Sequence, residues 1–275
     1  MITFYHSGNC GDILSSLPFC IEYNKEKRKG SGLGNELKFN YTCILNHPAS
    51  YQKKYMLASH PCGNVQLTKK MFDMLKPLLE KQPYINEVKC IDYKQSIKED
   101  EEHFNLDRFR KIDEKSNLLS TTLTRAYVPL YPLENDIHDE DAWLNAEKDS
   151  KCTDRIIFSH SLRYFGTASL NKLVPYQDRM NFIGVPEEYE YMRKFLPKMY
   201  YYPVNDFYET AKAINSCALF ISNQTMNWWI AEGLKVPRFV LRFPISPNCM
   251  PLGRNGFSIF DGDYFAKMLK VKLGY

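Results

Sequence analysis

Nowhere in these 275 residues do 18 apolar residues run without interruption, the length a helix needs to cross a bilayer. The amino terminus, MITFYHSGNCGD, has no basic stretch followed by an apolar one, so no secretory leader is expected. The eight cysteines, Cys10, Cys20, Cys43, Cys62, Cys90, Cys152, Cys217 and Cys249, stand singly, with no CxxC pair and no cysteine–histidine cluster at metal spacing. Several lie in apolar runs, which favours buried free thiols over disulfides. An excess of charge of one sign is also lacking. Thirty-six Lys and Arg against 32 Asp and Glu leave a net charge of +4, compatible with a phosphorylated ligand or a polyanion but too small to indicate either. The expectation is a cytoplasmic protein without a membrane span, with 44% hydrophobic residues and room for two modest domains.

Against these absences, the stretch Cys217 to Phe243, CALFISNQTMNWWIAEGLKVPRFVLRF, stands out. The short apolar run Ala218 to Ile221 suits a strand covered on both faces, and it stops at Ser222-Asn223-Gln224-Thr225, where a helix begins. A helix start leaves backbone N–H groups unpaired at the positive end of the macrodipole, so such residues can cap the helix or hold a phosphate. The chain opens in a similar way. Strand Ile2 to Tyr5 leads into His6-Ser7-Gly8-Asn9-Cys10-Gly11-Asp12 and then the apolar-periodic Ile13, Leu14, Leu17 and Phe19, with Pro18 expected to bend the helix. The GSGLG at Gly30 to Gly34 follows a helix instead of joining a strand to one, and is discounted as a nucleotide fingerprint.

Further strands are expected at Phe39 to Leu45 and Glu87 to Ile91, and a helix from a Thr68 cap to Leu79. The charged stretch Lys94 to Lys115 and the proline-rich, acidic stretch Pro129 to Asp141 read as loops and short helices leading to a linker between Asp136 and Thr153. The pattern then restarts. Strand Arg155 to Phe158, the turn Ser159-His160-Ser161, strand Asn181 to Ile183, helix Pro186 to Phe195, strand Tyr200 to Tyr202 and a helix capped by Asp206 precede the stretch already described. Asp261-Gly262-Asp263 resembles a divalent-cation motif, but it directly precedes a terminal helix, Tyr264 to Leu273, and capping explains it better. His138 and His160 lack a second ligand at metal spacing, so no metal site is expected. Trp228 and Trp229 share a helix with Ile230 and Leu234, so at least one belongs to the core, leaving the other to stack on a base or sugar.

GDILSSLP in the first half, and FIGVPEEYEYM and VNDFYETAKAINSCALFISNQTMNWWIAEGLKVPRFVL in the second, resemble the GT-B glycosyltransferases of the ADP-heptose:lipopolysaccharide heptosyltransferase group, glycosyltransferase family 9. Gly184, Glu187, Asp206, Asn223, Thr225, Ala231 and Pro237 fall on the family pattern. The resemblance covers about residues 1–17 and 155–251. It implies an α/β fold of two Rossmann-like domains facing a cleft: an acceptor-side domain at 1–145, a nucleotide-sugar-binding domain at 154–260, and a terminal helix at 263–275 packing back across the junction. Gln224, Met226 and Trp229 stand where the family carries Asp, Gly and His, and Arg163 stands for its Lys. These departures imply a retained phosphate site with a changed sugar.

The activity implied is an inverting, metal-independent transfer from a nucleotide-diphosphate sugar to a hydroxyl, without a cofactor. Such chemistry needs a base for the acceptor hydroxyl and charge stabilisation for the departing diphosphate. Asp12 is the candidate base, with His6, Asn9 and Gly11 in the acceptor-side loop. Ser161, Arg163, Gly184, Asn223, Gln224 and Thr225 are the candidate donor ligands. A saccharide acceptor of the lipopolysaccharide kind is the family default. A hydroxylated base in DNA is the alternative, prompted by Lys53-Lys54-Tyr55 and Arg108 to Lys111. A third reading is an inactive module that binds a nucleotide or a partner.

Overall fold

The computed structural model describes residues 1–29, 37–49, 63–97, 100–109, 123–164, 169–243 and 249–274. Gly30 to Gly34, Lys53-Lys54-Tyr55, Cys62 and the second half of Arg108 to Lys111 lie outside the described residues. The chain divides into two compact units, the first containing the described residues up to Asp139 and the second those from Glu140 onward.

The first unit carries β1 (Thr3–His6), α1 (Cys10–Lys27), β2 (Phe39–Leu45), α2 (Lys69–Glu80), β3 (Ile85–Asp92) and β4 (His103–Asn105). All its strands are parallel, in the order β3-β2-β1-β4. Parallel strands lie between layers of helix, and β1 and β2 are accordingly buried almost throughout. Aromatic rings fill the interior: Phe4 meets Phe39 edge-on at 5.2 Å and Tyr23 meets Phe104 at 4.9 Å. Helix α1 continues through Pro18, while the hydroxyls of Ser15 and Ser16 turn back onto the carbonyls of Asp12 and Ile13. Thr68 caps α2, its Oγ1 accepting the Met71 N–H at 3.2 Å.

The second unit holds β5 (Ile156–Ser159), β6 (Met180–Phe182), α3 (Pro186–Met192), β7 (Tyr200–Tyr201), α4 (Phe207–Ser216), β8 (Leu219–Ser222), α5 (Met226–Leu234), β9 (Arg238–Leu241), β10 (Gly256–Ile259) and α6 (Gly262–Leu273). Its six strands are again parallel, in the order β10-β9-β8-β5-β6-β7. Counted from the start of the unit, this is 3-2-1-4-5-6, the order of a dinucleotide-binding sheet, and the first unit shows the first four positions of it. In such sheets the strand order reverses between the first and fourth strands, leaving a crevice beyond their carboxyl ends. That point lies between β1 and β4 in the first unit, and between β5 and β8 in the second.

Several elements differ from the sequence expectation. Strand β4 lies inside the stretch read as loops, and β10 was not anticipated; each is short with little alternation to read. Residues 170–179 form consecutive 3-10 turns. Residues 140–152 lie along the second unit: Trp143 and Leu144 both donate to the Gly233 carbonyl, at 2.9 and 3.0 Å, where a Cβ on residue 233 would fall 2.7 Å from the Leu144 side chain. Asp261 caps α6 through hydrogen bonds from the N–H groups of Asp263 and Tyr264. Buried Phe265 and Leu269 of α6 join the core of the second unit.

Candidate functional site

In the first unit the chain leaves β1 at His6 and enters α1 at Cys10, so the joint consists of Ser7, Gly8 and Asn9. Gly11, expected in this loop, instead lies in the first helical turn. The glycine the joint requires is Gly8, where an added Cβ would sit 2.5 Å from His6 and 2.6 Å from Asp12. Asp12 is the third residue of the helix, and its Oδ2 accepts the Asn9 N–H at 3.1 Å. The Asn9 side chain donates to Gln66 at 3.1 Å. Beneath the joint His6 is wholly buried. Its Nδ1 accepts the Gly8 N–H at 2.8 Å, its Nε2 lies 2.8 Å from the Tyr127 hydroxyl, and that hydroxyl donates to the Asp12 carbonyl at 3.2 Å.

Asp107, two residues past β4, closes the same joint from across the strand-order reversal. Both its oxygens accept the Ser7 N–H, at 2.9 and 3.1 Å, and one lies 3.3 Å from His6 Nδ1. Burial works to raise the Asp107 pKa, but the His6 ring and the Ser7 N–H outweigh it and hold the carboxyl down at about 2. An acid that strong is a poor proton acceptor near neutrality.

The second unit repeats the arrangement. Asn223, past the end of β8 and fully buried, reaches across the reversal to the loop after β5. Its Oδ1 accepts the Ser161 N–H at 3.0 Å, and its Nδ2 donates to the carbonyls of Ser161 at 3.0 Å and Arg163 at 2.6 Å. Gln224 is also buried, its Oε1 accepting the Phe243 N–H at 2.8 Å. The two turn amides assigned to the donor therefore hold loops in place. Thr225 is the N-cap residue of α5 but makes no side-chain cap; its hydroxyl lies 3.0 Å from that of Ser222. Asn227, in the first turn of α5, donates to Ser159 at 2.8 Å. Ser161 Oγ donates to the Arg163 carbonyl at 3.3 Å, and the Arg163 guanidinium sits 5.4 Å from the centre of the Tyr164 ring. His160 is buried, which depresses its pKa to about 4 and keeps the ring neutral.

Gly184 follows β6, and a Cβ there would meet Phe182 at 2.7 Å and the Glu188 carboxylate at 2.8 Å. The carboxyl turned toward this glycine is thus Glu188, while Glu187, which falls on the family pattern, is exposed. Burial raises Glu188 to about 7 against the opposing pull of the Val185 and Leu162 N–H groups and the Arg163 charge. Trp228 and Trp229 are both buried, so neither is free to stack on a ligand. Among the described residues no three His, Cys, Asp or Glu side chains gather as metal ligands, and no helix is long and apolar enough to cross a membrane.

Sequence reasoning missed Asp107, Tyr127 and Glu188. Asp107 and Tyr127 lie in the region read as loops, and no spacing signal ties either to His6. Glu188 stands beside a residue already on the family pattern, so the only signal was one position off.

No protein-family model and no curated protein matches the chain. Solved structures do match. A glycosyl transferase family 9 structure from Veillonella parvula DSM 2008 aligns over 98% of this chain and 90% of its own, at 14% identity and a TM-score of 0.56. The E. coli heptosyltransferase WaaC with ADP-2-deoxy-2-fluoro heptose aligns over 94% and 92%, at 8% identity and a TM-score of 0.55. The same enzyme with ADP aligns over 99% of both chains, at 11% identity and a TM-score of 0.53. The α/β fold of two parallel sheets is the fold of these GT-B glycosyltransferases.

Proposed function

We propose that this chain is a glycosyltransferase that moves a sugar from a nucleotide-diphosphate sugar to the hydroxyl of a saccharide, with inversion and without a metal ion. The observation that carries the reading is the second strand-order reversal. There Asn223 fixes the loop after β5 to the turn after β8, and α5 begins beside them with no side-chain cap on its N–H groups. A helix start of this kind favours a phosphate, and Thr225 and Arg163 add a hydroxyl and a positive charge. Ser161 and Gly184 shape the loops on either side. Asn223 and Gln224 act as supports of this site.

In the reaction the acceptor oxygen attacks the anomeric carbon as its proton passes to Asp12. The bond from that carbon to the diphosphate oxygen breaks, and its electron pair leaves with the diphosphate. One displacement inverts the carbon. The donor charge is met by arginine and helix N–H groups. The supports for this reading are the likeness in fold to structures of which one is solved with ADP-2-deoxy-2-fluoro heptose, and the placement of Asp12 at the first joint.

A panel of UDP-, GDP-, ADP- and CMP-sugars tests it. One member is hydrolysed slowly, and transferred once an acceptor is supplied. Asp12→Asn folds and keeps its donor affinity but loses about 10²- to 10⁴-fold in kcat, the span of general base catalysis. Near-normal turnover in that variant removes Asp12 from the mechanism. A panel giving neither thermal shift nor hydrolysis removes the transferase reading, and binding without turnover leaves a nucleotide-binding module.

A further inference from the structure

We propose that Arg242, at the carboxyl end of β9, is a second cation of the donor-phosphate site. The inference rests on the donor reading above and assigns it a ligand that neither the sequence pattern nor the turn residues indicate. Side chains alternate across a strand, so residues two apart along β9 share a face. Phe239 and Leu241 belong to the core that includes Phe265 and Leu269 of α6. Arg238, on the other face, bonds to Glu232 of α5 at 2.6 and 3.0 Å. Arg242 continues the Arg238 face. It also keeps the register of the ladder, its N–H donating to the Ile259 carbonyl at 2.9 Å.

Helix α5 covers that face, with Glu232 in its last turns beside Arg238 at the start of β9. The opposite end of α5 therefore approaches the opposite end of β9, where Arg242 stands. One contact fixes this directly: Gln224 in the turn before α5 accepts the N–H of Phe243, the neighbour of Arg242, at 2.8 Å.

The second observation concerns the guanidinium itself. Its Nε is buried without a hydrogen-bond partner, and the side chain has no carboxylate, carbonyl or ring partner among the described residues. Arg238, four residues earlier, meets both oxygens of Glu232 and the carbonyls of Val236, Leu252 and Arg254. Ser7 Oγ, Thr124 Oγ1, Ser258 Oγ and Trp228 Nε1 are also unpartnered, but those groups are neutral. A half-buried, permanently charged donor fork left open is an arrangement proteins reserve for a reason, and its geometry suits two phosphate oxygens. With Asn223 and Gln224 committed to the loops, Arg242 and Arg163 supply the positive charge a diphosphate needs.

The test measures binding of inorganic pyrophosphate and of UDP, GDP, ADP and CDP by calorimetry, with melting temperatures of the ligand-free proteins. Wild type, Arg242→Gln, Arg242→Lys and the exposed control Arg254→Gln are compared. Wild type and the control bind pyrophosphate and one diphosphate; Arg242→Gln binds both at least about tenfold more weakly, and Arg242→Lys falls between. Without ligand Arg242→Gln melts no lower than wild type, because an unpaired charge has been removed. Unchanged binding in Arg242→Gln overturns the role of Arg242 and leaves the donor reading standing. A lower melting temperature of the ligand-free variant overturns it also, by making Arg242 structural. Wild type that binds neither pyrophosphate nor any diphosphate overturns both.

Discussion

A hydroxyl that accepts a proton on one side and gives its own on the other fixes both neighbours, and Tyr127 does this between His6 and the Asp12 carbonyl. Its ring is fully buried, 5.8 Å from His6 and 4.9 Å from Phe109, so the hydroxyl has little freedom to look elsewhere. Removing it leaves the shape of the core intact and two buried partners unmet. Tyr127→Phe is expected to destabilise the first unit by about 2 kcal/mol, the order of two neutral hydrogen bonds. With Asp12 as the base proposed above, kcat should fall about tenfold while the donor KM holds. Steady-state kinetics beside a melting curve check this. A loss of stability with unchanged kcat would make Tyr127 a packing residue only.

At the scale of elements, the loop after β5 and the turn after β8 behave as one piece because Asn223 ties them by an accepted and two donated bonds of 3.0 Å or less. Asn223→Ala cuts all three and leaves the Ser161 N–H and two carbonyls to find water. A cost of about 2–4 kcal/mol is expected, and the variant should lose donor affinity in parallel, since Arg163 is carried on the released loop. Chemical denaturation and donor titration on one preparation measure both; a stability loss with full donor affinity separates the loop from the site. The turn itself was legible in the sequence, because an apolar run that halts at four small polar residues before a helix has few other readings. The direction of its amides was not legible. An amide at a helix start serves a ligand or a neighbouring loop equally well, and the partner of Asn223 lies 62 residues earlier. The same limit hid Asp107, a hundred residues from Ser7, whereas Thr68, Asp206 and Asp261, whose partners lie two or three residues away, were readable as caps.

Across the whole molecule the two units use one device with different chemistry. In each, a side chain past the fourth strand takes the N–H of a serine past the first, Asp107 with Ser7 and Asn223 with Ser161. One fastener titrates and the other does not, which separates the units in acid. The folded pKa of Asp107, about 2, lies below its ordinary value of 3.8. Its contribution, about 2 kcal/mol, is therefore complete above about pH 4 and is lost as pH falls toward 2. The second unit responds earlier and in two opposing directions. His160, depressed from 6.5 to about 4, costs stability as pH falls through that window; Glu188, raised from 4.5 to about 7, adds stability as pH falls through its own. Hydrogen exchange followed from pH 6 to pH 2 should show the Ser7 amide holding its protection to about pH 4 and then losing it. The Ser161 amide should show no step below pH 4, since the group that holds it carries no proton to gain. Asp107→Asn gives the first unit the fastener of the second: an amide oxygen can still accept from Ser7, but it cannot titrate. In that variant the acid step at Ser7 disappears while its protection at pH 6 is weaker, because a neutral acceptor replaces a charged one. An unchanged step in Asp107→Asn would mean that another carboxyl governs the joint, and that the likeness between the two fasteners is one of position alone.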